Sequence, residues 1–182
     1  MSDSAKSLEQ MSTTELIDYL AISIYKEPLS AARTRPELVS DDLRVAILII
    51  DFDTEVSMNG ILGFLENSAG AQLPQVILAF DRIGAQKTAD CLREIQALLN
   101  RTGVRSADLR RDLEATEEFE ISSFAQRHGA AARGMAREVN PIARRLYLYR
   151  PSEGEAVFDM LQSYLEPRRN ELVLSLLAWS ER

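Results

Sequence analysis

Apolar residues recur at three- and four-residue steps along this chain, most strongly between residues 41 and 58. One helical face of that segment carries Val45, Leu48, Ile49, Phe52 and Val56. Ser40 stands where an N-cap is expected, and Asp41 and Asp42 follow in the first turn, where the helix dipole favours anions. The β-branched run over residues 45–50 is also compatible with a buried strand, but the segment is too long for one strand. The sequence therefore predicts a central helix that is buried on most sides.

The same spacing, with start and stop signals, predicts further helices. They cover residues 12–25, 41–58, 61–65, 74–83, 86–100, 142–149, 152–165 and 170–179. Capping boxes are predicted at Ser12 with Glu15 and at Ser152 with Glu155. Gly84 separates the helices over 74–83 and 86–100 by a short turn, which predicts a helix hairpin.

The chain contains no run of alternating apolar and polar residues that predicts a strand. We therefore expect an all-α fold of about seven to nine helices, forming a single compact domain over residues 12–182 after a flexible polar tail over residues 1–11. Ser106 and Thr116 are candidate N-caps, and a loop or kink is expected between Gly129 and Gly134.

Negative charge is concentrated in the first half of the chain. The protein has 182 residues and a net charge of −7. The first 100 residues contain 15 acidic and 8 basic side chains, whereas the remainder contains 13 of each. This balance argues against direct binding of nucleic acid or of an anionic membrane and favours a basic partner. Because 18 of the 21 basic residues are arginine, internal ion pairs or a bound anion are expected in the second half.

Several other classes are disfavoured by composition. No apolar run is long enough for a membrane span, and the N-terminus lacks the pattern of a secretory signal, so a cytoplasmic location is expected. One cysteine, Cys91, and one histidine, His128, cannot form an internal disulfide or a zinc site based on cysteine and histidine. We expect no cofactor and no metal.

A motif block follows the central helix. Residues 55–70 read EVSMNGILGFLENSAG, and residues 83–92 read IGAQKTADCL. This arrangement resembles a small bacterial domain family named for a DNA-mimic protein. The residues that match its pattern are Glu55, Asn59, Gly60, Phe64, Asn67, Gly70, Ile83, Gly84, Ala85, Thr88 and Ala89. The departures are Ile61 and Leu62, where a second Gly and a Phe are usual, and Gly63 near the usual Gln.

The resemblance covers about residues 43–165. It implies an acidic, all-helical and often dimeric fold without an assigned catalytic activity. It also implies a role, proposed for a few members, of imitating DNA to occupy the DNA-binding surface of a transcription factor. From the residues alone, the Asn59-Gly60 and Asn67 to Gly70 elements are interpreted as bends that build the fold.

Two interpretations of Asp51 and Glu55 remain open at this stage. They lie four residues apart on one helix, a spacing at which like charges repel. They could face a basic partner, or they could pair with Arg44, Arg82 or Arg93 or cap amides freed at Asn59-Gly60. The second interpretation is favoured because their helix is so apolar.

A mimic surface is more readily assembled from several helices, and from two chains if the protein is a homodimer. The predicted partner-binding residues are Asp18, Glu27, Glu37, Asp41, Asp42, Glu66 and Asp90. The predicted partner is a basic, DNA-binding protein such as a transcription factor. An alternative with the same electrostatics is a protein that neutralises a toxin or nuclease by covering its cationic active site.

An enzyme is the less favoured alternative. Cys91 lies among apolar neighbours and is expected in the core, and His128 lies in a polar stretch and is expected at the surface. A carboxylate-based enzyme would use the acidic residues between Asp51 and Glu55. The C-terminal apolar helix around Leu176 and Trp179 either seals the core or forms a dimer contact, and the core is favoured.

Overall fold

The computed structural model describes residues 7–115, 122–146 and 155–180. Throughout these ranges the regular structure is helical, without a strand, which confirms the all-α prediction. The α-helices are α1 (Thr13–Ser23), α2 (Leu29–Thr34), α3 (Asp41–Glu66), α4 (Leu73–Ile83), α5 (Gln86–Thr102), α6 (Ser106–Glu114), α7 (Phe124–Arg127), α8 (Ala130–Ala143), α9 (Val157–Leu165) and α10 (Arg169–Ser180). Short 3-10 helices are Leu8–Gln10, Pro36–Leu38, Ser68–Gln72 and Glu166–Arg168. Among the described residues, nine α-helices have six residues or more, as predicted.

The centre of the molecule is α3, which packs against α1, α2, α4, α6, α8 and α10. Every residue from Val45 to Phe52 is buried, so the prediction of a central buried helix is confirmed and the strand interpretation is wrong. The predicted hairpin is also present, since α4 ends at a left-handed Gly84 and α5 packs back against α4. In the described segments, no helix combines the length and apolarity needed to cross a membrane.

A sharp bend divides α3 at Gly60, where φ is +68° and ψ is 176°. Left-handed φ is accessible to glycine without steric cost, which explains the residue. Phe52 and Phe64 would be about 18 Å apart along a straight helix. Their ring centroids are instead 4.9 Å apart in an edge-to-face contact, and the Phe80 ring of α4 lies 5.4 Å from Phe52. The predicted bend at Asn59-Gly60 therefore folds the end of α3 back onto its own middle.

The turn after α3 approaches that helix closely at Gly70. A Cβ on Gly70 would lie 2.5 Å from the carbonyl oxygen of Leu65 and 2.7 Å from that of Phe64. Only a residue without a side chain fits there. The Asn67 to Gly70 element therefore builds the fold, as the sequence predicts.

The first and the last of the described segments contact the body of the protein. The capping box of Ser12 and Glu15 is present at the start of α1. Residues 7–11, expected to belong to a loose tail, include a 3-10 turn, and the guanidinium of Arg169 donates to the carbonyl oxygen of Met11 at 2.8 Å. In α10, Leu176 is fully buried and the indole of Trp179 donates to the carbonyl of Pro28 at 2.9 Å. The C-terminal helix thus seals the core.

Three local predictions are wrong. The connection after Pro28 contains α2, which is too short to show a period. The expected loop at Gly129 to Gly134 is helical from Ala130, because the apolar face of α8 packs on α5 and outweighs the roughly 1 kcal/mol cost of a helical glycine. The helix predicted over residues 142–149 does not begin there, because α8 continues through Pro141 and ends at Ala143. Pro141 has no amide hydrogen to donate, so it costs α8 one helical hydrogen bond just before that end.

The predicted capping box at residues 152–155 is also revised. Ser152 lies outside the described residues, as do Thr116 and the acidic residues that follow it. The Glu155 carboxylate accepts hydrogen bonds from the backbone amides of Lys87 and Thr88 at 3.0 and 2.8 Å. It therefore caps the N-terminus of α5, which is remote in sequence, where unpaired amides and the helix dipole favour an anion.

Candidate functional site

Three of the predicted partner-binding carboxylates are exposed at the start of the chain. Asp18 lies on α1, Glu27 lies in the turn after it, and Glu37 lies in the 3-10 helix before α3. Glu27 accepts a hydrogen bond from the Ser30 hydroxyl at 2.5 Å. No described cation forms an ion pair with any of these three carboxylates. Their negative charge therefore faces solvent without a protein counter-charge in the described part of the chain.

Asp41 and Asp42 also reach the surface, but arginines neutralise them. Asp41 lies 3.1 Å from the Arg44 guanidinium and 3.5 Å from that of Arg82 on α4. Asp42 accepts a hydrogen bond from the Tyr164 hydroxyl at 2.9 Å and lies 3.5 Å from Arg168. Burial raises the pKa of Tyr164, and its hydrogen bond to Asp42 raises it further. These contacts hold the start of α3 against α4 and α9.

Asp90 shares its arginine with a second carboxylate. The Arg93 guanidinium donates to Asp90 at 2.6 Å and also to Asp81 on α4. One positive charge between two carboxylates leaves this exposed cluster with a net negative charge. Because Arg93 neutralises part of this charge, Asp90 contributes less negative charge to the surface than the sequence predicts.

The prediction that Glu66 belongs to an outward acidic surface is wrong. Its side chain is only 9% exposed, and its two oxygens lie 2.6 Å from the Arg127 guanidinium and 2.8 Å from His128 Nε2. The fold requires this arrangement, because a carboxylate at the buried end of α3 needs compensating charge. Glu66 thus stabilises the fold and does not face a partner.

His128 was expected at the surface, and this prediction is also wrong. Its imidazole is fully buried, with Nε2 beside Glu66 and Nδ1 3.2 Å from Asp112 on α6, and the Phe124 ring lies 4.2 Å away. The imidazole thus lies between two carboxylates that belong to different helices. We name the set Glu66, Asp112, Arg127 and His128 the buried charge cluster. It joins the end of α3 to α6 and α7.

The motif residues form a second network. The carboxylate of Glu55 accepts hydrogen bonds from the side-chain amides of Asn59 and Asn67 at 3.2 and 2.6 Å. Asn67 would be out of reach on a straight helix, and the Gly60 bend returns it to Glu55. Arg33 of α2 bridges the carboxylates of Asp51 and Glu55. Its Nε donates to Asp51 at 2.6 Å, and its Nη2 donates to Glu55 at 3.3 Å.

Internal pairing of Asp51 and Glu55 is therefore the correct interpretation, although the partner is not one of the arginines that the sequence suggested. Tyr25 adds a hydrogen bond from its hydroxyl to Asp51 Oδ1 at 3.2 Å, and the Arg33 guanidinium lies 4.9 Å from the centre of its ring. Burial raises the pKa of the Asp51 carboxyl, and Arg33 opposes that shift. Burial also raises the pKa of Tyr25 to about 12. We name Tyr25, Arg33, Asp51 and Glu55 the motif network.

Neither network presents an activated nucleophile. Cys91 is buried as predicted, and burial raises the pKa of its thiol, which keeps the thiol protonated and unreactive. Within the described ranges, no group of three or more histidine, cysteine or acidic side chains is arranged to hold a metal ion.

Comparison with protein families gives one match. The family model described as DMP19-like protein matches residues 37–168, which is most of the chain. The matched range includes Asp51 and Glu55 of the motif network, whereas Tyr25 and Arg33 precede it. This agrees with the resemblance seen in the sequence over about residues 43–165. No curated protein and no solved structure matches the chain.

Proposed function

Because the chain belongs to the DMP19-like protein family, a DNA-mimic family, we propose that it imitates DNA by presenting carboxylates to the DNA-binding surface of a basic protein such as a transcription factor. The observation that carries this proposal is the family match over residues 37–168. The net charge of −7 supports it, since a basic surface attracts an acidic protein over a Debye length of about 8 Å at physiological salt. In this role the protein is not an enzyme.

Exposure and the lack of a described ion pair favour three carboxylates for such a surface. Asp18, Glu27 and Glu37 are exposed and without an ion pair from the described residues. Asp18 and Glu27 precede the range that the family model matches. Their proposed part in the surface is therefore supported by exposure and charge and not by the family match. Asp41, Asp42 and Asp90 contribute less, because a partner would compete with the arginines already beside them.

The test is capture of DNA-binding proteins by the full chain and by a variant carrying Asp18→Asn, Glu27→Gln and Glu37→Gln. A matched control carries Asp159→Asn, Glu166→Gln and Glu171→Gln, which remove the same charge from exposed carboxylates of the second half. We expect the first variant to bind the captured protein at least about tenfold more weakly at low salt and the control to bind almost normally.

Two further results are required of a DNA mimic. Double-stranded DNA that the captured protein recognises should compete with the full chain for it. The affinity should also fall steeply between about 50 and 200 mM salt. Simultaneous binding of DNA and this protein, or an affinity that salt does not change, would contradict the proposal.

The homodimer implied by the family resemblance stays a prediction. Sedimentation equilibrium of the full chain measures it directly. A dimer would place two copies of the exposed carboxylates on one particle.

A further inference from the structure

A cavity of about 470 Å³ opens beside the motif network and has no part in the proposed mimicry. Its walls come from α2, α3, α6 and the 3-10 helix Ser68–Gln72. This volume lies within the range of about 300–1,000 Å³ that is typical of small-molecule sites. The close approach at Gly70 fixes one wall, because it presses the 3-10 helix against the end of α3.

The lining combines an apolar surface with separated charges. Ile47 and Leu48 of α3 supply buried apolar side chains. Arg33 and Asp51, which contact each other, both line the cavity, and Arg110 of α6 lines it as well. A ligand with an apolar part and charged groups would therefore contact apolar side chains with the first and oppositely charged side chains with the second.

The charged residues keep unused hydrogen-bonding capacity. Asp51 accepts from both Arg33 and Tyr25 through Oδ1, and no described residue donates to its Oδ2. Arg33 uses Nε and Nη2, and its Nη1 has no acceptor among the described residues. Arg110 uses only Nε, toward Glu114.

Two of the three side chains that keep unused capacity are largely withdrawn from water. The Asp51 side chain is 11% exposed and that of Arg33 is 22% exposed. Groups that have lost much of their hydration gain from a ligand that replaces it. Burial raises the pKa of the Asp51 carboxyl, and the contacts with Arg33 and Tyr25 offset that shift only in part.

The spacing of the two groups indicates the ligand. Arg33 Nε lies 2.6 Å from Asp51 Oδ1, so the unused guanidinium donor and the unused carboxylate oxygen belong to two side chains already in contact. An α-amino acid carries its ammonium and carboxylate on a single carbon, so it can address two neighbouring side chains of opposite charge at once. Its side chain would then contact the apolar wall.

We propose that this cavity binds a free α-amino acid with an apolar side chain. The ligand ammonium donates to Asp51 Oδ2, and its carboxylate accepts from Arg33 and Arg110. The backing of Asp51 by Tyr25 and Arg33 holds the carboxylate in place, so little side-chain entropy is lost on binding.

The experiment is a thermal-shift screen of the full chain with the standard L-amino acids, followed by calorimetric titration of the best one. We expect saturable binding with a dissociation constant in the micromolar to millimolar range. The amide of that amino acid, which lacks the carboxylate, and its deaminated acid, which lacks the ammonium, should each bind at least about tenfold more weakly.

Variants locate the site. Arg110→Gln should weaken binding by about tenfold or more without unfolding the protein, because Arg110 is exposed and contributes only a surface ion pair. Asp51→Asn should abolish binding while circular dichroism reports a helical fold. The matched control is Arg101→Gln, an exposed arginine paired with Glu138 away from the cavity, which should bind normally.

Three outcomes would overturn the proposal. The first is the absence of saturable binding for every amino acid tested. The second is equal binding by Arg110→Gln and the unaltered chain. The third is binding of inorganic phosphate in place of amino acids, which would make the cavity a simple anion site.

Discussion

Removal of the His128 imidazole provides the most direct test of the buried charge cluster. In His128→Ala, Glu66 keeps Arg127 at 2.6 Å but loses its second partner, and Asp112 loses the contact at 3.2 Å. Removing the hydrogen-bond partner of a buried charged group costs about 1–3 kcal/mol, and the cavity left by the imidazole adds to that cost. Asp112 is 37% exposed and can recover hydration, so we expect a total loss of about 3 kcal/mol.

The assay is urea unfolding followed by circular dichroism, which yields the free energy of unfolding and its dependence on denaturant. It is repeated at high salt, because a buried pair is screened far less than a surface pair. The control variant is Glu138→Gln, which removes the exposed pair with Arg101 and should cost less than about 1 kcal/mol.

A double-mutant cycle makes the test specific to the contact. Glu66→Gln removes the carboxylate that the imidazole contacts at 2.8 Å, so it should make His128→Ala less costly. We expect the combined loss to be smaller than the sum of the single losses by about 0.5–3 kcal/mol. A cost below about 1 kcal/mol for His128→Ala, or simple additivity, would refute the role assigned to the cluster.

Three other predictions concern single positions. Gly70→Ala should lower the free energy of unfolding by about 1–3 kcal/mol, because the added Cβ would meet the Leu65 carbonyl oxygen at 2.5 Å. Gly134→Ala is the control, because a Cβ there meets nothing within 4 Å, and it should raise the free energy of unfolding by up to about 1 kcal/mol in the same urea titration. The Tyr25 hydroxyl stays protonated in the folded protein up to a pKa of about 12. Its contribution to stability is therefore present below pH 10 and is lost as the pH rises through 12. Tyr25→Phe should therefore remove a tyrosine ionisation near pH 12 from an ultraviolet titration, and a variant that still shows that step would contradict this assignment. Glu155→Gln should cost about 1 kcal/mol in urea unfolding, because a neutral amide replaces the anion that caps α5, and an unchanged stability would show that the cap is dispensable.

Elements whose causes are local could be predicted from the sequence. The Ser12 and Glu15 capping box, the burial of α3 and the hairpin at Gly84 each depend on residues a few positions apart. The Asn59-Gly60 bend was predictable for the same reason, since glycine marks the place where a helix can turn. The family resemblance was equally local, because its matching residues stand in two short blocks.

Contacts between remote residues could not be predicted in this way. His128 bonds to Glu66 across 62 positions, and Arg33 bonds to Asp51 across 18, with no period or motif linking them. A polar stretch around His128 indicates exposure unless the carboxylates that enclose it are known. The helical start of α8 was missed for a related reason, because packing on α5 overrode the glycine signal.

The cap on α5 also bears on the order in which the chain can mature during synthesis. The amide of Thr88 leaves the ribosome 67 residues ahead of the carboxylate that satisfies it. Until Glu155 has emerged, the first turn of that helix can only donate to water and should fray. A nascent chain arrested before residue 155 should therefore exchange these amide protons rapidly, and release of a few more residues should slow that exchange.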